Sequence, residues 1–178
     1  LAAENRGKIK DNQALFSGMA LEQKVLAMIK AVYSDSTPES WTIRAAGQSL
    51  DVFRDVFVRL NRTVTADGEG IRLKEFILGL RANSKHEHIE LDERDFLLPA
   101  LTKNALAIYL DHLILRQGEQ VRLFICEKTA GTAEPDLFKA TAPVLRPEDS
   151  GVQAEEDVKR NGIELREKNT PRPAGGAQ

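Results

Sequence analysis

The carboxylates of Asp67, Glu69 and Glu75 fall close together in the stretch TVTADGEGIRLKEFILGL, Thr63 to Leu80. Several oxygen ligands converging on one loop are what a hard divalent cation needs, with a glycine for the sharp turn and a carboxylate to close the shell. Gly68 and Gly70 alternate with the acids, Ile71 follows, and Glu75 precedes Phe76. In an EF-hand frame of twelve residues ending at Glu75, however, the opening position is Val64 and the sixth, normally glycine, is Glu69. The match to that loop is incomplete. Two readings stay open: a site for Ca2+ or Mg2+ built on the three acids, with backbone carbonyls and water completing the shell, or a turn whose Asp-Gly and Glu-Gly pairs simply suit a tight connection.

Other residues offer different chemistry. His86 and His88 in HEHIE could share a transition metal, with Glu87 or Asp92 adding oxygen, but the His-Glu-x-x-His spacing of a metalloprotease fails because Glu90 stands four places after His86. His112 sits in an apolar run and reads as a hydrogen-bonded core or edge histidine. Cys126, the single cysteine, lies in VRLFICEK and reads as a small buried hydrophobe. It also excludes an internal disulfide and any multi-cysteine zinc cluster. Neither a Gly-rich phosphate loop with its lysine nor a nucleophile-elbow serine is present, so the expectation is a non-enzymatic protein. A DNA-binding alternative reads a turn at Gly47–Ser49 followed by a recognition helix carrying Arg54, Arg59 and Arg62, with VTADGEGIRLK as a wing. Asp51 and Asp55 on that helix would repel phosphate.

Composition constrains the choice. The 178 residues are 42% hydrophobic and 29% charged with a formal net charge of -2, which suits a soluble domain and argues against nucleic-acid binding by bulk charge. No apolar stretch approaches the ~20 residues that span a bilayer, and the first residues lack a signal-peptide core. The compartment expected is cytoplasmic.

The elements expected to carry these residues are helices. Leu21, Val25, Met28, Ile29 and Val32 recur at spacings of three and four, which predicts an amphipathic helix. A second is expected from Pro38 or Glu39 through Thr63, with Trp41, Ala45, Leu50, Phe53, Phe57 and Leu60 inward. A third uses Leu73, Phe76, Ile77 and Leu80, and a fourth, interrupted at Pro99, runs from Leu91 towards Gly118. VRLFICEK is the strand candidate, with DLFKATAPVL as a partner for a small hairpin. The resulting expectation is a mainly α-helical bundle of four to five helices, divided as a lead-in over 1–20, a helical domain over 21–146 and a disordered tail or linker over 147–178.

On Ala66, Asp67, Gly68, Ile71, Glu75 and Phe76, the segment FRDVFVRLNRTVTADGEGIRLKEFILGL resembles the central part of TerB-like domains, helical modules named for bacterial tellurite resistance. The turn here is one or two residues longer than the compact family form. The resemblance implies a non-catalytic partner in a bacterial stress-response complex, one that binds another protein and senses metal ions.

Overall fold

The computed structural model describes residues 2–129, and within them the chain is built mainly from strands. Two helices, α1 (Ala2–Leu15) and α2 (Leu21–Tyr33), precede β1 (Trp41–Leu50), β2 (Val56–Ala66), β3 (Ile71–Leu80), β4 (His88–Glu90), β5 (Ala105–Leu110), β6 (Ile114–Arg116) and β7 (Gln120–Lys128). Five strands form one antiparallel sheet in the order β1-β2-β3-β7-β5, and β4 pairs with β6 in a second, smaller sheet.

The helical bundle and the helices of the TerB-like resemblance are therefore corrected. Residues 56–66 and 71–80 form a hairpin, and the intervening Asp67–Gly70 is its loop. Glu69 N–H donates to the Ala66 carbonyl at 3.1 Å, and Gly68 and Gly70 take φ of 89° and 75°, values that glycine adopts without strain. Val56, Val58, Thr63, Val64 and Thr65 give β2 the branched side chains that favour a pleated surface. The expected fourth helix breaks into a short 3-10 turn (Glu93–Phe96), β5 and β6. Pro99 sits second in a turn closed by Leu101 N–H to the Leu98 carbonyl, where its fixed φ is an advantage. The helix expected from Leu21 is present as α2, and Val25, Met28, Ile29 and Val32 are its buried side. VRLFICEK is within β7. The expected strand DLFKATAPVL and the tail over 147–178 lie outside the described residues.

Alternation along the strands divides the apolar residues between two cores. On one face, Val64, Ala66, Ile71, Leu73, Phe124 and Cys126 pack with Phe16 and the buried side of α2. On the other, Val56, Val58, Phe76, Leu78, Leu123 and Ile125 pack under Phe53, Ile89, Phe96, Leu101 and Leu115 from the 3-10 turn, the small sheet and their connections. β7 is buried on both faces, which explains its nearly unbroken apolar run. A β-bulge at Asn61 switches the pattern of β2 between the two cores: Leu60 opposes Phe76, and Arg62 opposes Glu75.

α1 is fixed onto the sheet by polar contacts as well as by packing. Buried Asn12 donates to the carbonyls of Ser40 (3.2 Å) and Asp67 (2.9 Å) and accepts from Ser40 Oγ (2.6 Å). Ile9 lies against Gly68, where a Cβ would come within 2.7 Å of it. Phe16 stacks on Trp41 with ring centroids 5.9 Å apart. The hairpin loop is thus the platform on which the first helix rests.

Candidate interaction surface

The three acids of the loop region each meet a different partner. Asp67 accepts a hydrogen bond from Thr42 Oγ1 at 2.6 Å, and Glu69 pairs with Lys24 at 3.0 Å across to α2. Glu75 lies further down β3, opposite Arg62 on β2 and Phe124 on β7. Among the described residues, no group of three or more histidines, cysteines, aspartates and glutamates is arranged to hold a metal ion. Thus Asp67, Glu69 and Glu75 do not converge: the Asp67 carboxylate ties the loop to β1, Glu69 ties it to α2, and Glu75 joins arginines of β2 and β7.

Glu75 is the centre of a buried ion cluster. Its carboxylate, 2% exposed, is shared by Arg62 Nε on one oxygen and by Arg122 Nε and Nη2, both at 2.7 Å, on the other. Burial pushes the carboxyl up, but the hydrogen bonds and charges of Arg62 and Arg122 outweigh it and hold the group below its ordinary value. The guanidiniums also reach the end of α2: Arg122 Nη1 lies 3.4 Å from the Tyr33 carbonyl, and Nη2 of each arginine lies 3.5 Å from the Val32 carbonyl. Cations at a helix C-terminus complement its dipole. Arg122 also lies over Tyr33 and Phe124, 5.2 and 5.0 Å from their ring centroids. On the opposite face, buried Glu127 plays a similar part with Arg72 (3.0 Å) and Lys74 (2.9 Å).

The other candidates are dispersed. Arg59 and Arg62 lie on β2 and Arg54 in the bend before it, so the recognition helix of the DNA-binding alternative is corrected to a strand. Gly47 belongs to a β-bulge in β1 rather than to a helix-helix turn. His86 Nε2 is 3.9 Å from Asp55, His88 lies in β4 opposite Arg116, and exposed His112 is 4.0 Å from Asp111. Cys126 is fully buried, and burial, reinforced by the Glu127 charge, pushes its thiol up to about 12, so no thiolate is available at neutral pH.

What the sheet leaves uncovered is more distinctive than any of these clusters. Among the described residues β1 is an outer strand, paired only with β2, and every residue from Ile43 to Ser49 is exposed. Ile43 is 45% exposed, and Arg44 is the only charged residue of the strand. The other outer strand differs: Leu106–Leu110 of β5 are all buried. An edge with so little charge presents unpaired backbone donors and acceptors to any extended segment that approaches. The bulge between Ala45 and Gln48 turns the far half of β1, leaving Trp41–Ala45 as the regular part of that edge. The helical reading of 38–63 hid this feature. The alternation and branched residues of β2, followed by Asp67-Gly68, were the signal that could have revealed the hairpin next to it.

Comparison with known proteins agrees with a sheet-based domain. No curated protein matches the chain. A family model described as the TraK C-terminal domain matches residues 10–127, from within α1 into β7, and this replaces the TerB-like resemblance. That match takes in more than half of the chain, with the last part of α1, all of α2 and β1 to β6, and β7 except Lys128, and the chain belongs to the TraK C-terminal domain family.

Proposed function

We propose that this domain is a non-enzymatic protein-interaction module of a conjugative transfer apparatus, and that it engages its partner along β1. Membership of the TraK C-terminal domain family supports the process. The observation that carries the mode of action is the bare outer edge of β1, exposed from Ile43 to Ser49 beside a firmly buried sheet. Rigid β2, β3 and β7 hold that edge in place, so a partner strand meets preordered backbone groups rather than having to order them itself.

The test substitutes Ile43→Lys together with Ala45→Lys, since lysine on an edge opposes strand addition. Both positions are exposed, so the variant should melt within a few degrees of wild type. In donor cells that carry it as the sole copy, transfer is expected to fall by about tenfold or more, the equivalent of losing ~1.4 kcal/mol of partner binding. A folded variant that supports undiminished transfer would refute the role of β1.

A further inference from the structure

The helix-side face of the sheet is only half covered. α1 and α2 overlie the end near Ile71 and Leu73, while beyond the Glu75 cluster the same face continues across β2, β3 and β7. There Arg59 stands opposite Ile77, and Ile77 opposite Arg122; in the next row Phe57 stands opposite Gly79, and Gly79 opposite Gln120. Alternation places all of these on the face that carries Glu75. Phe57 occupies the space above Gly79, where a Cβ would lie 2.3 Å from the ring. Phe57 and Ile77 are partly exposed, Arg59 is exposed, and Tyr33 is 43% exposed at the border with α2.

This shelf has the composition of an interface hot spot, with aromatic residues and arginines and without lysine. Its charge is unbalanced. Arg59 makes no ion pair among the described residues, and Arg62 and Arg122 share the single buried carboxylate of Glu75, with Asp35 reaching only Arg62, at 3.9 Å.

We infer that the shelf of Phe57, Ile77, Arg59 and Arg122 docks a protein segment presenting an apolar side chain flanked by carboxylates. The apolar group covers Phe57 and Ile77, and the carboxylates meet Arg59 and the second N–H of Arg122 Nη1, which are charge-assisted bonds of the stronger kind. A nucleic acid would also find arginines here. The partly buried setting of Phe57 and Ile77 between the strands suits an aliphatic or aromatic side chain better than a base needing an open stacking platform. The inference rests on the reading of the domain as an interaction module but concerns the helix-side face of β2, β3 and β7 rather than the outer edge of β1.

The test is NMR shift mapping on the full chain with three probes. These are a short synthetic peptide with a Leu-Trp centre flanked by glutamates, the same peptide with lysines, and an oligothymidine. The acidic peptide is expected to shift Phe57, Arg59, Ile77 and Arg122 saturably, with affinity that weakens as salt rises. Arg59→Glu should weaken it about tenfold or more while keeping the wild-type melting temperature. Silence at the shelf, equal shifts from the lysine peptide, or a preference for the oligonucleotide would each overturn the inference. None of those results touches the β1 reading, which fails if the edge variant transfers normally.

Discussion

At the scale of single residues, Glu75 carries the most consequence. Replacing it with glutamine leaves two guanidiniums without their shared counter-charge. Breaking a buried pair from one side costs about 3–5 kcal/mol, and the partial exposure of Arg62 and Arg122 places the expected loss at the low end or below. Chemical denaturation at neutral pH measures it. The pH dependence has a definite sign. Because the folded carboxyl is held below its unfolded value, its contribution is complete above the ordinary carboxylate range and is lost as pH falls towards the folded value. The stability difference between wild type and Glu75→Gln should therefore shrink on acidification. Gly79 is the second informative position. Gly79→Ala must displace the Phe57 ring, an overpacking expected to cost about 1–3 kcal/mol, and pairing it with Phe57→Ala should recover part of that loss in the same unfolding measurement. The sequence marked Glu75 as important but assigned it the wrong neighbours. Arg62 and Arg122 are 13 and 47 residues away, and only strand register brings all three together.

At the scale of elements, α2 shows how much a polar side contributes to legibility. Its exposed glutamate, glutamine and lysines made the three- and four-residue spacing of Val25, Met28, Ile29 and Val32 readable. β5 is buried from Leu106 to Leu110, and in β3 the alternation of Ile71, Arg72, Leu73 and Lys74 breaks at Glu75 and Phe76, so no sustained polar side marks their period, and Leu73, Phe76, Ile77 and Leu80 fit a helix by coincidence. β7 escaped this ambiguity through its branched and aromatic content. α2 ends at Asp35, whose φ of 60° follows the reverse-turn hydrogen bonds Ser36 N–H to Ala31 and Asp35 N–H to Val32. Asp35→Gly relieves that left-handed backbone and should raise stability by up to about 1 kcal/mol, observable as a higher melting temperature. Asn12→Ala, in contrast, strips the Ser40 and Asp67 carbonyls of their donor, and a cost of about 1–3 kcal/mol is expected. Limited proteolysis within α1 should accelerate in that variant before the sheet itself unfolds, because α1 is held by that asparagine, Ile9 and Phe16.

At the scale of the whole molecule, the sheet presents two unlike outer strands and a half-covered face among the described residues, and the proposed function rests on that asymmetry. Composition points away from bulk nucleic-acid binding, and the non-catalytic expectation continues as part of the proposal. The interaction surface was not legible, because an exposed edge exists only once five strands have been ordered. Among the described residues no helix is long and apolar enough to cross a membrane. The acids of the hairpin loop are engaged separately, Asp67 with Thr42 of β1 and Glu69 with Lys24 of α2, so millimolar calcium is expected to leave the melting temperature unchanged, since a ligand of the native state must raise it.

The most direct measurement is amide hydrogen exchange along Trp41–Leu50, in the isolated chain and in the assembled transfer complex. If β1 receives a partner strand, its outward-facing amides should exchange freely in isolation and become protected on assembly, while those already paired with β2 stay slow in both states. Outward amides that exchange equally fast in both states, with protection appearing elsewhere on the sheet, would contradict the account.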